Sequence, residues 1–94
     1  MGNLATKKIL VLVKDRQAEA LRMTLGLTLA DDAVDLYVLG DKIENTDANT
    51  QNLELLGEMS VGLFSTHHED KGFEFLSKEE MASRLLKYDH ILPY

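Results

Sequence analysis

The chain reads as an α/β protein: a three-layer α/β/α arrangement around a parallel sheet of four to five strands, in a single domain over residues 1–94. Three observations predict it. Short runs of β-branched and leucine residues bounded by charges or glycine recur at Lys7–Lys14, Val34–Leu39 and Val61–Phe64. Runs that are apolar without alternation mark strands covered on both faces. After the first of them, Ala18–Ala30 is rich in Leu, Ala and Met with no proline, suited to a helix. The connections are short and polar, and no repeat or linker interrupts the alternation of strand and helix.

The elements follow in order. KKILVLVK, Lys7 to Lys14, is the first strand. KDRQ turns the chain into a helix over Ala18–Ala30, closed by Asp31 and Asp32. VDLYVLG gives a second strand, Val34–Leu39, that stops at Gly40. DKIENTDANT is a polar loop in which Asp47 or Asn49 caps a helix running to about Met59. Val61–Phe64 is the third strand. Ser77 with Glu80 three residues on is a capping box that opens a helix to about Tyr88. HILPY closes the chain as an edge strand, because Pro93 has no N–H to give a second neighbour.

The first helix carries two apolar stripes. At ~100° per residue, Ala18, Leu21, Leu25 and Leu29 share one side, while Ala20, Met23, Leu27 and Ala30 share nearly the opposite one. A sheet covers only one side. The other points to a neighbouring helix of the same layer or to another subunit, with Met23 and Leu27 as the candidate contact.

Composition excludes several classes of function. Sixteen acidic residues against ten basic ones give a formal charge of −6, which repels phosphate backbones, so nucleic acid is not an expected partner. With 45% hydrophobic and 28% charged residues, the chain is of the globular type. It has no cysteine, which removes disulfides, thiolate metal sites and every thiol mechanism. The apolar run Ile9–Val13 is far too short to span a bilayer, and the start lacks the apolar region and cleavage site of a signal peptide. A cytoplasmic protein without membrane attachment is expected. MGNLAT fits the loose myristoylation pattern through Gly2 and Thr6, but no polybasic second signal supports it.

The stretch VGLFSTHHED, Val61 to Asp70, holds the densest chemistry. Ser65, His67 or His68, and Asp70 are the residue types of a hydrolase triad, yet no G-x-S-x-G surrounds Ser65 and triad members normally come from distant parts of a chain. A solvated polar loop is the expected outcome. His67, His68 and Glu69 or Asp70 suit zinc or nickel, but adjacent histidines seldom share a metal and a third ligand would have to come from His90 or a partner chain. No resident metal or other cofactor is expected. Lys14, Asp15 and Arg16 follow the first strand and share the carboxyl rim of a parallel sheet with Ser65, Thr66, His67 and His68. That rim is the candidate binding region. Arg16 beside a helix start suits a small anion, although no glycine-rich phosphate loop is present. Lys78, Glu79 and Glu80 read as the polar face of the last helix.

AEALRMTLGLTLADDAVDLYVLGDKI resembles the first helix and second strand of the DsrE-like sulfur-relay family, which includes the Tus-type sulfur carriers. GEMSVGLFST is similar to that family's third strand and following loop, and GFEFLSKEEMASRLLKYDHILPY to its short fourth strand, last helix and final strand. The resemblance implies a five-stranded parallel sheet with Phe73–Phe75 as the extra strand. It also implies assembly as a trimer or hexamer, either of this chain alone or in a hetero-complex with cysteine-bearing relatives. Active members carry a persulfide-bearing cysteine in the loop after the third strand, where this chain reads Phe64-Ser65-Thr66-His67. A hydroxyl has no accessible anion near neutral pH and holds no persulfide. The resemblance therefore implies a member without the active cysteine, a scaffold, regulator or binder of a small ligand or partner; the alternative is a small enzyme or metal-binding protein using the Ser65–His68 loop.

Overall fold

The computed structural model describes residues 7–29, 33–40, 42–68, 70 and 72–94. Gly2, Thr6, Ala30, Asp31, Asp32 and Glu69, singled out above, lie outside them. In chain order the elements are β1 (Lys8–Val13), α1 (Gln17–Thr28), β2 (Ala33–Val38), α2 (Asp47–Glu58), β3 (Gly62–Ser65), β4 (Glu74–Phe75), α3 (Lys78–Arg84) with a single 3-10 turn after it (Leu85–Lys87), and β5 (His90–Pro93). The five strands form one sheet in the order β4-β3-β2-β1-β5, and every pairing is parallel. This is the predicted α/β fold.

The apolar run of β1 is explained by its place in the middle. Leu10, Val11 and Val13 have no exposure, and successive side chains serve opposite faces. Val11 and Val13 join Leu36 and Val38 of β2, Ala20 and Leu21 of α1 and Leu56 of α2 in one cluster. Leu10 joins Tyr37 of β2 and Met81 of α3 in the other. Two crossovers in the same direction, β1 to β2 and β2 to β3, keep α1 and α2 on one face, and the return from the β4 edge to the β5 edge carries α3 over the other. The result is three layers. Among the described residues no helix is long and apolar enough to cross a membrane.

Local chemistry sets the boundaries. The capping box at α3 is present as predicted, with Glu80 N–H donating to Ser77 Oγ at 3.1 Å and Ser77 N–H to Glu80 Oε1 at 3.2 Å. That helix tightens into its 3-10 turn at Leu85 before reaching Tyr88. The cap of α2 is Thr46, not Asp47 or Asn49: Thr46 keeps an extended backbone and its hydroxyl accepts from Asn49 N–H at 3.1 Å. In α1 the fully buried residues are Ala20, Leu21 and Thr24, so the burial line runs between the two apolar stripes and takes from both. Thr24 fits this dry position because its hydroxyl donates to the Ala20 carbonyl at 2.8 Å. Leu29, placed on a stripe by the sequence, is 76% exposed. Pro93 lies on β5, which among the described residues pairs with β1 alone.

Gly40 marks the end of β2 for a steric reason: a Cβ built there would sit 2.2 Å from the Lys14 carbonyl oxygen. Gly40→Ala must push two neighbouring chain segments apart and is expected to lower stability by about 1–3 kcal/mol, read as a fall in the urea midpoint at unchanged slope.

Candidate functional site

The carboxyl ends of the three inner strands align, with Val13 opposite Val38 and Val38 opposite Ser65. The segments that follow them therefore share one rim, as the sequence predicts for Lys14–Arg16 and Ser65–His68. What the rim does with these groups differs between its two ends.

At the β3 end every polar side chain of the STHH stretch has a partner or a stacking surface. Ser65 has no exposure. Its hydroxyl donates to Asp70 Oδ2 at 2.6 Å and accepts from His67 N–H at 3.0 Å. The second oxygen of Asp70 accepts from Ile43 N–H at 3.1 Å, so one nearly buried carboxylate ties the turn after β3 to the loop before α2. Thr66 N–H and its hydroxyl both face the Val38 carbonyl, at 3.2 and 3.4 Å. The His67 ring, through Nε2–H, donates to the Gly40 carbonyl, since a carbonyl only accepts. His68 stacks on Phe75 with ring centres 3.8 Å apart.

This geometry is not that of a Ser–His–Asp triad. In a triad the imidazole stands between hydroxyl and carboxylate. Here the Ser65 hydroxyl meets the carboxylate directly and the imidazole is turned to Gly40. No group of three His, Asp or Glu side chains poised for a metal exists among the described residues. His90 begins β5, at the opposite end of the sheet and three strand spacings from β3, roughly 14 Å, so it does not join His67 and His68.

At the β1 end, the backbone N–H groups of Lys14, Asp15 and Arg16 converge on the Tyr94 carbonyl, at 3.2, 3.0 and 3.3 Å. Three successive amides gathered on one oxygen form the kind of concavity that binds anions, and here the chain fills it itself. The Arg16 guanidinium lies 5.2 Å from the Tyr94 ring centre and 3.8 Å from Glu19. Beside this turn a cleft of about 530 Å³ opens between the rim of β1 and β2 and the α3 layer. A larger one of about 960 Å³ lies between α2 and the turn at Asp70. Of the two candidate interface residues, Met23 is 42% exposed and Leu27 is half-buried against the core.

A polar cluster that the motif reading passed over sits on the α3 face. Tyr88 OH donates to Asp35 Oδ2 at 2.5 Å and lies 3.1 Å from Tyr37 OH. Burial first, then hydrogen bonds to Asp35 and Tyr37, push the Tyr88 phenol well above its ordinary value. The signal was present: Asp35 interrupts the apolar run VDLYVL, and a carboxylate inside such a strand requires a donor.

The chain thus defines a class by its geometry, a five-stranded parallel α/β protein whose rim is tied by side chains at one end and by its own backbone at the other. Comparison with protein-family models, curated proteins and solved structures gives no match to the chain.

Two outcomes test the site. Ser65→Ala deprives Asp70 of a donor and His67 N–H of an acceptor, and should cost about 1–3 kcal/mol in chemical denaturation. The fold favours the neutral Tyr88 phenol, so the stability this group contributes is complete below about pH 10, the ordinary tyrosine value, and is lost as pH rises beyond it. Urea midpoints should fall as the pH rises beyond about 10, and Tyr88→Phe should remove part of that fall.

Proposed function

We propose that this chain is a non-catalytic, cytoplasmic subunit of the DsrE-like type, serving a sulfur relay as a scaffold, regulator or binder of a partner. The observation that carries the reading is the state of Ser65. A sulfur carrier needs an ionisable thiol that a donor can reach. In this chain the corresponding stretch offers a hydroxyl with no exposure, its proton committed to Asp70, and no cysteine occurs anywhere else. The loop then works as a structural tie. The parallel five-stranded sheet agrees with the fold that the sequence resemblance implies.

A subunit without chemistry of its own acts through its surfaces. Met23 on α1 and Leu55 on α2 are large apolar side chains left 42% and 47% exposed on the same helical layer. Burying such side chains against another copy, or against a cysteine-bearing relative, contributes ~1.5–3 kcal/mol for each one fully covered.

Incubation with a cysteine desulfurase and labelled cysteine should leave no covalent sulfur on the chain; stable label would overturn the reading. Light scattering on the wild type should give a mass of several chains, and Met23→Glu should lower it while the circular dichroism stays that of an α/β protein. A mass of one chain at micromolar concentration would argue against self-assembly and leave a hetero-complex as the form to seek.

A further inference from the structure

The cleft between the rim of β1 and β2 and α3 has the make-up of a ligand site. Its volume, about 530 Å³, falls in the range of small-molecule pockets. Leu12 and Leu39, from the ends of adjacent strands, and Met81 and Leu85, from the α3 layer, line it. Leu12, Leu39 and Leu85 remain half-buried there, apolar surface turned into a concavity at the rim where open parallel sheets bind their ligands. Gly40, with no side chain, also lines the cleft.

The polar groups are few and of one dominant sign. Lys14 and Lys78 line the cleft with Asp15, two ammoniums against one carboxylate among the described residues, in a chain whose formal charge is −6. Neither lysine has an ion-pair partner among the described residues. Both rise from pinned backbone: Lys14 N–H is held by the Tyr94 carbonyl, and Lys78 is the first residue of α3, directly after the capping box residue Ser77. A pinned backbone lowers the ordering cost of binding.

We propose that this cleft binds a single-headed amphipathic monoanion, a carboxylate with an aliphatic or aromatic body of about eight to twelve carbons, its body on Leu12, Leu39, Met81 and Leu85 and its head between Lys14 and Lys78. A single negative charge balances the surplus of one ammonium over Asp15, whereas a dianionic phosphate would leave excess negative charge in an already acidic chain. The site does not involve the Ser65–Asp70 tie and stands apart from the sulfur-relay reading.

The test is titration of the isotopically labelled full chain with decanoate below its micellar concentration, followed by amide shifts and calorimetry. Decanoate should bind saturably at one site, with shifts centred on Leu12, Lys14, Leu39, Met81 and Leu85. Acetate, which lacks the body, should show no saturation at the same concentrations, and decyltrimethylammonium should bind weaker by on the order of tenfold. The double variant Lys14→Glu, Lys78→Glu, at two exposed positions, should reverse that preference. Ala82→Phe, which fills the cleft from an exposed position on α3, should abolish decanoate binding. Equal binding of the cationic amphiphile, survival of decanoate binding in Ala82→Phe, or absence of saturable binding would each overturn the proposal.

Discussion

Strand β1 is bonded along both edges, to β2 and β5, and covered on both faces, by α1 with α2 and by α3. Almost everything else in the molecule takes its position from that. A strand in this position must be apolar throughout, and each of Leu10, Val11 and Val13 removed from water stabilises the fold by about 1.5–3 kcal/mol. The parallel pairing then requires crossovers, the crossovers supply the helices, and the common strand direction brings Lys14, Gly40 and Thr66 to a single rim. The functional region is a consequence of the sheet's direction before it is a property of any side chain.

Open parallel sheets bind their ligands at rims of this kind. This one spends several of its own groups internally. Ser65, His67 and Asp70 bind one another and the neighbouring loops, and the amides of Lys14 to Arg16 close on Tyr94. A buried hydroxyl or carboxylate left without a partner costs about 1–3 kcal/mol, and Ser65 and Asp70, both withdrawn from solvent, meet that cost by pairing with each other. Open beside those ties is the apolar notch against α3, with its two lysines. The proposed ligand, an apolar body with one charge, is fitted to that notch.

The α3 face shows the same rule on a different scale. Asp35 enters an otherwise apolar strand, and Tyr88, arriving from a segment 53 positions away in sequence, supplies the donor it needs. Tyr37 closes the cluster with its own hydroxyl and an edge-on ring, 5.9 Å from that of Tyr88. The pairing fixes where the 3-10 turn ends and how the chain enters β5.

Local chemistry was legible in the residues alone. Continuous apolar runs announced buried strands, Ser77 with Glu80 announced a helix start, Pro93 announced an edge, and the lack of cysteine excluded thiol chemistry, because each depends on neighbours in sequence or on a side chain's intrinsic properties. The alternation of elements was enough for the α/β class and the parallel sheet. Tertiary structure alone decided which hydroxyl is buried and which imidazole faces which carbonyl, that Thr24 lies in the core while Leu29 faces water, and that Tyr94 closes the β1 turn. Those outcomes rest on contacts between segments far apart in the chain, whose relative placement no local pattern encodes. Serine, histidine and aspartate within six residues permit a triad, a metal site or a tie. Only the direction in which β3 delivers Ser65, into the α1 and α2 side beside Asp70 and away from the open rim, selects the tie.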